Sequence, residues 1–271
     1  MRLIKILYFL LPFIGMSQAH TSEGKLMNKL FVCYGKVNPE LVKGYTLVII
    51  ESEHYSSSEI AVFNKNNKKV VAYLSLSEVN KYASFYKDIA PYILEENNIW
   101  NSYLIDIQNK KAQQVLITVI NRMKQKGVQG LFLDNLDNVS KWGKLHKQKG
   151  AFLNFLENIR KNNKNLFLVQ NAGLFITKEL KTITDAIVVE SVVSSYDFNT
   201  KTYKLRDSKT KKEFIKNIKL SREIVAKPIY VIEYAETLEM KNSITREIKK
   251  LGFSSFVGQI ELQSIPNFKK W

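Results

Sequence analysis

Residues 130–137 read Gly130-Leu-Phe-Leu-Asp134-Asn-Leu-Asp137. A short uncharged run leads straight into a carboxylate. This is the pattern of a parallel strand buried on both faces, with its polar end emerging at one rim of the sheet. Upstream, Lys111–Lys126 places Val115, Leu116, Val119, Ile120 and Met123 at helical spacing and stops at Gly127. Downstream, Ala151–Asn162 does the same with Phe152, Phe155, Leu156 and Ile159. A helix, a strand and a helix in succession predict an α/β fold with a parallel sheet.

The alternation continues outward in both directions. Strand-like runs stand at Leu30–Tyr34, Thr46–Ile50, Val70–Leu76 and Tyr103–Ile107 before the central stretch. Leu166–Gln170, Ala186–Glu190, Pro228–Tyr234 and Ser254–Gly258 follow it. Lys211–Lys227 and Leu238–Leu251 add further helices, the second ending at Gly252. That makes one strand more than a (β/α)8 barrel needs. Tyr103–Ile107 is the expected extra, because it lies inside the long connection between Leu76 and Gly130. An open doubly wound sheet usually carries a glycine-rich phosphate loop after its first strand; Cys33-Tyr34-Gly35-Lys36-Val37 is not one. No repeat or Pro/Gly/Ser linker divides the chain. The predicted architecture is a single (β/α)8 TIM barrel over residues 20–271.

Composition bounds the remaining possibilities. The chain has 271 residues, 45% hydrophobic and 24% charged, which excludes disordered, collagenous and coiled-coil classes. A chain of this length buries roughly 70–75% of its unfolded surface and needs no staple. One cysteine excludes an intrachain disulfide, and three histidines are too few for most zinc sites. No metal and no cofactor are expected. The first residues carry Arg2 and Lys5, then an apolar run from Ile6 to Ile14, then Ser17-Gln18-Ala19. They read as a secretory signal peptide, residues 1–19, cleaved after Ala19. The apolar run is too short to span a bilayer comfortably. An exported monomer is expected, periplasmic or extracellular and not inserted in the membrane. Cys33 is then expected to be a small buried hydrophobe.

Carboxylates collect where the strands end. Glu51, Glu53, Glu78, Asp106, Asp134, Asp137, Glu190, Glu233, Glu236 and Glu261 make ten of the 25 acids. In a (β/α)8 barrel these ends converge on the face that holds the active site. The expectation is an acidic cleft inside a basic shell. A strand-end acid can also cap the next helix, an alternative for Asp137 and Glu236 taken singly. The sequence has no G-x-S-x-G, no H-E-x-x-H and no phosphate loop. Glycoside hydrolysis needs little beyond two carboxylates. Tyr73, Tyr82, Trp100, Tyr196 and Tyr234 lie near strand ends, where rings could stack on sugars. Each of them alone fits packing as well.

Taken in order, these motifs resemble a known family. Val71-Ala-Tyr-Leu-Ser-Leu-Ser-Glu78-Val, Ile99-Trp100-Asn-Ser-Tyr-Leu-Ile-Asp106 and residues 130–137 are followed by Gln170-Asn171-Ala-Gly, Val189-Glu190-Ser191 and Val231-Ile-Glu233-Tyr234-Ala. The series resembles the (β/α)8 endo-α-1,4-polygalactosaminidases of glycoside-hydrolase families 114 and 166, including hydrolase domains that cleave the Pel exopolysaccharide. It extends over roughly Phe31 to Leu262. The resemblance implies Asp134 as nucleophile and Glu190 as general acid/base of a retaining reaction. It implies subsites lined by Tyr73, Glu78, Asp106, Asp137, Asn171, Tyr196, Glu233 and Tyr234. Their charge would suit a cationic, partly deacetylated galactosamine polymer. Two departures bear on substrate preference. Ser77 stands where the family usually has Gly and is expected to crowd the floor. Glu233 stands where Asp is common and is one methylene longer.

The expected activity is endo-hydrolysis of an α-1,4-linked galactosamine or N-acetylgalactosamine exopolysaccharide. The alternative is a non-catalytic carbohydrate- or biofilm-matrix-binding protein on the same barrel. The joint presence of Asp134 and Glu190 favours the enzyme. The net charge is +16, and +14 after cleavage, which would also suit nucleic acid. Lys110-Lys111, Lys211-Lys212 and Lys249-Lys250 fall in separate predicted helices, however, as solvated faces do. No nucleic-acid partner is expected.

Overall fold

The structure is a computed structural model that describes residues 29–270; the expected signal peptide lies outside the described residues. Eight strands form the central sheet. They are β1 (Leu30–Cys33), β2 (Leu47–Ile50), β3 (Val70–Ser75) and β4 (Gly130–Asp134). The second half is β5 (Phe167–Asn171), β6 (Ala186–Glu190), β7 (Ile229–Tyr234) and β8 (Ser254–Gly258). They pair in sequence order, and every pairing is parallel. The expected TIM barrel is therefore the observed one.

The sheet nearly closes. At the seam the Tyr34 N–H donates to the Leu262 carbonyl at 2.7 Å. The rings of Phe31 and Phe256 meet edge-on at 5.7 Å. Gly35 makes this approach possible, because a Cβ there would lie 2.0 Å from the Gln263 carbonyl oxygen. Gly35→Ala is expected to cost about 1–3 kcal/mol through overpacking. A lowered chemical-denaturation midpoint at unchanged m-value would read that cost; an unchanged midpoint would show that the seam has slack.

Alternation sorts side chains between two cores. Val188, Tyr230 and Ile232 pack in the inner cluster. Their neighbours Ile187, Val189 and Val231 pack outside, against Ile218, Ile244 and Ile248. Those three belong to the helices Ser208–Val225 and Leu238–Lys250. Period two in the strand thus fixes which residues face the barrel axis.

The connections are less regular than the strands. Helices Ser57–Asn66, Lys110–Gln125 and Lys149–Asn162 follow β2, β3 and β4. After β1 and β5 there are only short 3-10 turns, at Pro39–Leu41, Leu174–Ile176 and Glu179–Thr182. The extra segment behaves as expected: Ser102–Ile105 lies outside the barrel. It pairs antiparallel with Glu78–Asn80 and Ile93–Asn97 in a side sheet on the β3–β4 connection. A second accessory element was not evident in the sequence. Ser194–Asp197 and Thr202–Leu205 form an antiparallel hairpin after β6. Cys33 is buried, as expected, with its thiol 3.5 Å from the Gly35 carbonyl. Among the described residues, no helix is long and apolar enough to cross a membrane.

Candidate active site

Asp134, Asn171 and Glu190 are the last residues of β4, β5 and β6. Each is followed at once by a non-glycine residue in the left-handed region: Asn135 at φ 62°, Ala172 at 51° and Ser191 at 56°. The chain therefore turns sharply away as soon as the functional side chain has been delivered. Such backbone conformations are costly and gather at functional sites.

A single amide joins the two acids. Asn171 Nδ2 donates to Asp134 Oδ1 at 2.8 Å and to Glu190 Oε1 at 2.6 Å. Both bonds leave one nitrogen, so those two oxygens are at most about 5.4 Å apart, the two lengths laid end to end. The opposite amide orientation would press an oxygen against two carboxylates. Asn171 Oδ1 is buried without a hydrogen-bond donor, a cost accepted so that the NH2 can serve both acids.

Two tyrosines complete the row. Tyr73 OH donates to Asp134 Oδ2 at 2.8 Å. Tyr234 OH donates to Glu190 Oε2. Burial pushes both phenols well above the usual tyrosine range, and the neighbouring carboxylates add to it. Both remain donors at any working pH.

Burial raises both acids, and their own attraction for donors lowers them. Asp134 is raised by burial, against which Asn171, the Asn135 backbone and Tyr73 pull it down. Glu190 is raised by burial and further by the Asp134 charge, with Tyr234 and Asn171 opposing. Asp134 has more donors and the lower intrinsic pKa. Both groups stand above their usual range, and the Asp134 charge adds to the rise of Glu190.

The structure brings together only part of the expected set. Tyr73, Asn171 and Tyr234 touch the two acids. Asp137 is exposed at the rim and accepts the Gly173 N–H at 3.2 Å. Neither Asp137 nor Glu236 caps a helix; Glu236 pairs with Lys269. Asp106 accepts from Gln148 Nε2 at 2.9 Å, apart from the Asp134–Glu190 row. Tyr196 packs on Phe198 and Tyr203 in the hairpin. Tyr82 is exposed, beside Lys81.

Glu78 and Glu233 do not line a subsite. Glu78 is 4% exposed and is held by Asn97, Ser102 and Asn138. It ties the side sheet to the loop after β4. Glu233 is fully buried. Its oxygens accept the N–H groups of Val192, Val193 and Ser194 at 3.0, 2.8 and 2.7 Å, and the Ser194 hydroxyl at 2.5 Å. The pleat explains the correction: Tyr234 faces the axis, so Glu233 must face outward. Ser77 does not crowd the floor either. It is buried, donates to the Asn135 carbonyl at 2.8 Å and accepts from Asn138 at 2.9 Å.

Two further residues join the site: Tyr34, which the sequence did not place there, and Glu51, one of the ten strand-end acids. Tyr34, just beyond β1, packs its ring 4.8 Å from Tyr73. Burial and then the charges of Glu190, Asp134 and Glu51 push its phenol well up. Glu51, just beyond β2, is itself raised by burial, with His54 Nε2 3.7 Å from its carboxylate. The signal for Tyr34 is positional: it occupies the same strand-end station as the acids.

A parallel barrel with two carboxylates bridged at its C-terminal rim is the layout of a glycoside hydrolase. The sequence model of glycoside-hydrolase family GH114 matches residues 17–270, and the chain belongs to that family. The fold is shared with the glycoside hydrolase domain of PelA from Pseudomonas aeruginosa: TM-score 0.78, 20% identity, 89% of this chain and 99% of that one. It is also shared with Aspergillus fumigatus Ega3 in complex with galactosamine: TM-score 0.67, 16% identity, 90% of this chain and 94% of that one. An uncharacterized protein of Thermotoga maritima is 22% identical over 205 residues, 69% of this chain and 61% of the relative. The chain thus spans less than two thirds of that relative's length.

Proposed function

We propose that this glycoside hydrolase is an exported endo-acting enzyme that cleaves α-1,4-linked galactosamine or N-acetylgalactosamine exopolysaccharide with retention. Asp134 is the nucleophile and Glu190 the general acid/base. The observation that carries the mechanism is the shared Asn171 amide. Retaining enzymes hold their carboxyls about 5–5.5 Å apart, inverting ones about 6.5–9.5 Å. The limit set by the two Asn171 bonds falls on the retaining side. The galactosamine bound in the Ega3 complex supports the substrate class, and Glu51 and Asp137 supply negative charge for an amino sugar. Export rests on the N-terminal pattern, with cleavage after Ala19.

Glu190, protonated, gives its proton to the leaving glycosidic oxygen. Asp134 attacks the anomeric carbon and forms a glycosyl ester. Glu190, now ionised, takes a proton from the incoming water, which releases the sugar with its original configuration. Tyr73 and Asn171 keep Asp134 ionised and aimed; Tyr234 and Asn171 orient Glu190.

The test is incubation of residues 20–271 with an α-1,4-galactosamine polymer. Hexosamine oligomers by mass spectrometry, with newly formed α-anomers by NMR, are expected. β-Anomers would overturn retention, and no products from any α-galactosaminan would overturn the substrate class. Activity should rise with pH as Asp134 ionises and fall as Glu190 loses its proton. Tyr73→Phe removes a donor from Asp134, raises its pKa and moves the acid limb to higher pH. Tyr234→Phe raises Glu190 and moves the alkaline limb to higher pH. Unmoved limbs in both variants would remove these tyrosines from the proton chemistry.

A further inference from the structure

Away from the carboxylates, three insertions meet on the same face of the barrel. The side sheet leaves the C-terminal end of β3, the hairpin leaves that of β6, and Ile260 and Glu261 follow β8. Between them lies a groove of about 460 Å³, within the usual range for small-molecule sites. Trp100, at the tip of the side sheet, meets Phe198, at the tip of the hairpin, with ring centroids 4.8 Å apart and planes at 79°. Tyr196 meets Phe198 at 5.0 Å and 81°. Strands β3 and β6 are not neighbours, so this contact spans the barrel mouth. Tyr203 fixes the third side by accepting the Ile260 N–H at 3.1 Å.

These rings are not a sealed core. Trp100 is 54% exposed and Phe198 44%. Exposed apolar surface of this kind, rimmed by polar groups, marks a binding site. The rim consists of Asn98, Asn199, Lys201 and Glu261: two amides and the Lys201 ammonium for hydroxyl groups, and one carboxylate for an amine. Nothing in the two-carboxylate chemistry uses this groove.

We propose that the groove is a distal subsite that binds one amino-sugar ring of the polymer whose backbone is cut at Asp134 and Glu190. This rests on the proposed substrate class. The root of the hairpin touches the site directly, because the Tyr234 N–H donates to Ser194 Oγ at 2.9 Å. The tip stands roughly 13 Å farther along, at about 3.3 Å for each strand residue. A long chain reaches both places; a short oligomer seated on the carboxylates does not. Apolar sugar faces rest on Trp100 and Phe198, and the amine faces Glu261. The enzyme gains grip on long chains, which is what internal cleavage of a polymer requires.

The test compares wild type with Trp100→Ala and Phe198→Ala on galactosamine polymer and on oligomers too short to reach the hairpin tip. Trp100→Ala is expected to raise KM for polymer about ten-fold, equivalent to ~1.4 kcal/mol. Its kcat/KM on short oligomers should stay within about two-fold of wild type, and Trp100→Phe should recover most of the loss. Equal effects on polymer and oligomer would overturn the subsite, as would an unchanged KM. Failure of the substrate class is read separately, from wild type. If wild type cuts no polymer, titration calorimetry of polymer binding to wild type and Trp100→Ala still decides: equal affinities overturn the subsite, and a ten-fold loss supports it. A shift in sedimentation coefficient on Trp100→Ala, with polymer affinity unchanged, would make the patch a contact between copies of the chain and overturn the proposal.

Discussion

Asp134→Asn is expected to lower kcat by ~10⁴-fold or more on every substrate, because the nucleophile of a two-step route has no substitute. Glu190→Gln is expected to behave differently. On polymer, whose leaving group is an alkoxide in need of a proton, the loss should be about 10²–10⁴-fold. On an aryl galactosaminide, whose phenolate departs unprotonated, the first step should survive nearly intact. The second step still lacks its base, so the glycosyl ester on Asp134 should accumulate. Intact-protein mass spectrometry would then show one added sugar. Equal losses on both substrates would remove Glu190 from the acid role. Ordinary turnover by Asp134→Asn would remove the nucleophile assignment. Both side chains are replaced by near-isosteres that keep the Asn171 contacts partly occupied, so the fold should persist in each variant.

Glu233→Ala is expected to produce the largest loss of stability, although Glu233 does no chemistry. Its carboxylate is the acceptor for three backbone N–H groups and for the Ser194 hydroxyl. Truncation leaves these donors buried and unpaired, at about 3–5 kcal/mol in total. For a chain of this size that lowers the melting temperature by roughly 6–20 °C. The damage should extend to the reaction. Residues 191–194 join Glu190 to the hairpin, and Ser194 Oγ also holds the Tyr234 backbone. A thermally intact Glu233→Ala protein with wild-type kcat would show that the loop is held by other means. Glu233→Asp, which keeps the charge but shortens the reach, should fall between the two.

The strands were legible because parallel strands are apolar on both faces, and Val, Ile and Leu runs stand out. The long helices were legible from Leu116, Val119 and Ile120 or from Phe152, Phe155 and Leu156, and the first also from its stop at Gly127. The helix Ser57–Asn66 was missed because its apolar face is thin, only Ile60 and Phe63 being buried. Its capping box was in plain view, Ser56 bonding the Glu59 N–H and Glu59 bonding the Ser56 N–H. The hairpin escaped because its strands carry little apolar alternation. Asp134 and Glu190 stand among ten strand-end acids, and the family resemblance singles them out. Glu233 was misassigned by the same rule, since a strand end has two faces and only one opens on the cleft. Applying the pleat to Ile232, Glu233 and Tyr234 keeps the tyrosine in the site and places the acid behind it. The rest of the site depends on distances between strands, which no single segment encodes.

The closure of the sheet sets an order of events. Tyr34, which stands in the field of Asp134 and Glu190, is fixed through its backbone to Leu262. These residues lie just beyond the first and last strands. A chain emerging from the ribosome can form β1 to β7 in turn, since each strand pairs with the barrel strand made just before it. The wall of the cleft beside Tyr34 is completed only when β8 and the loop after it arrive. Barrel closure therefore waits for β8 and the loop after it, and a nascent chain that stalls before Leu262 carries both acids without the seam that encloses them.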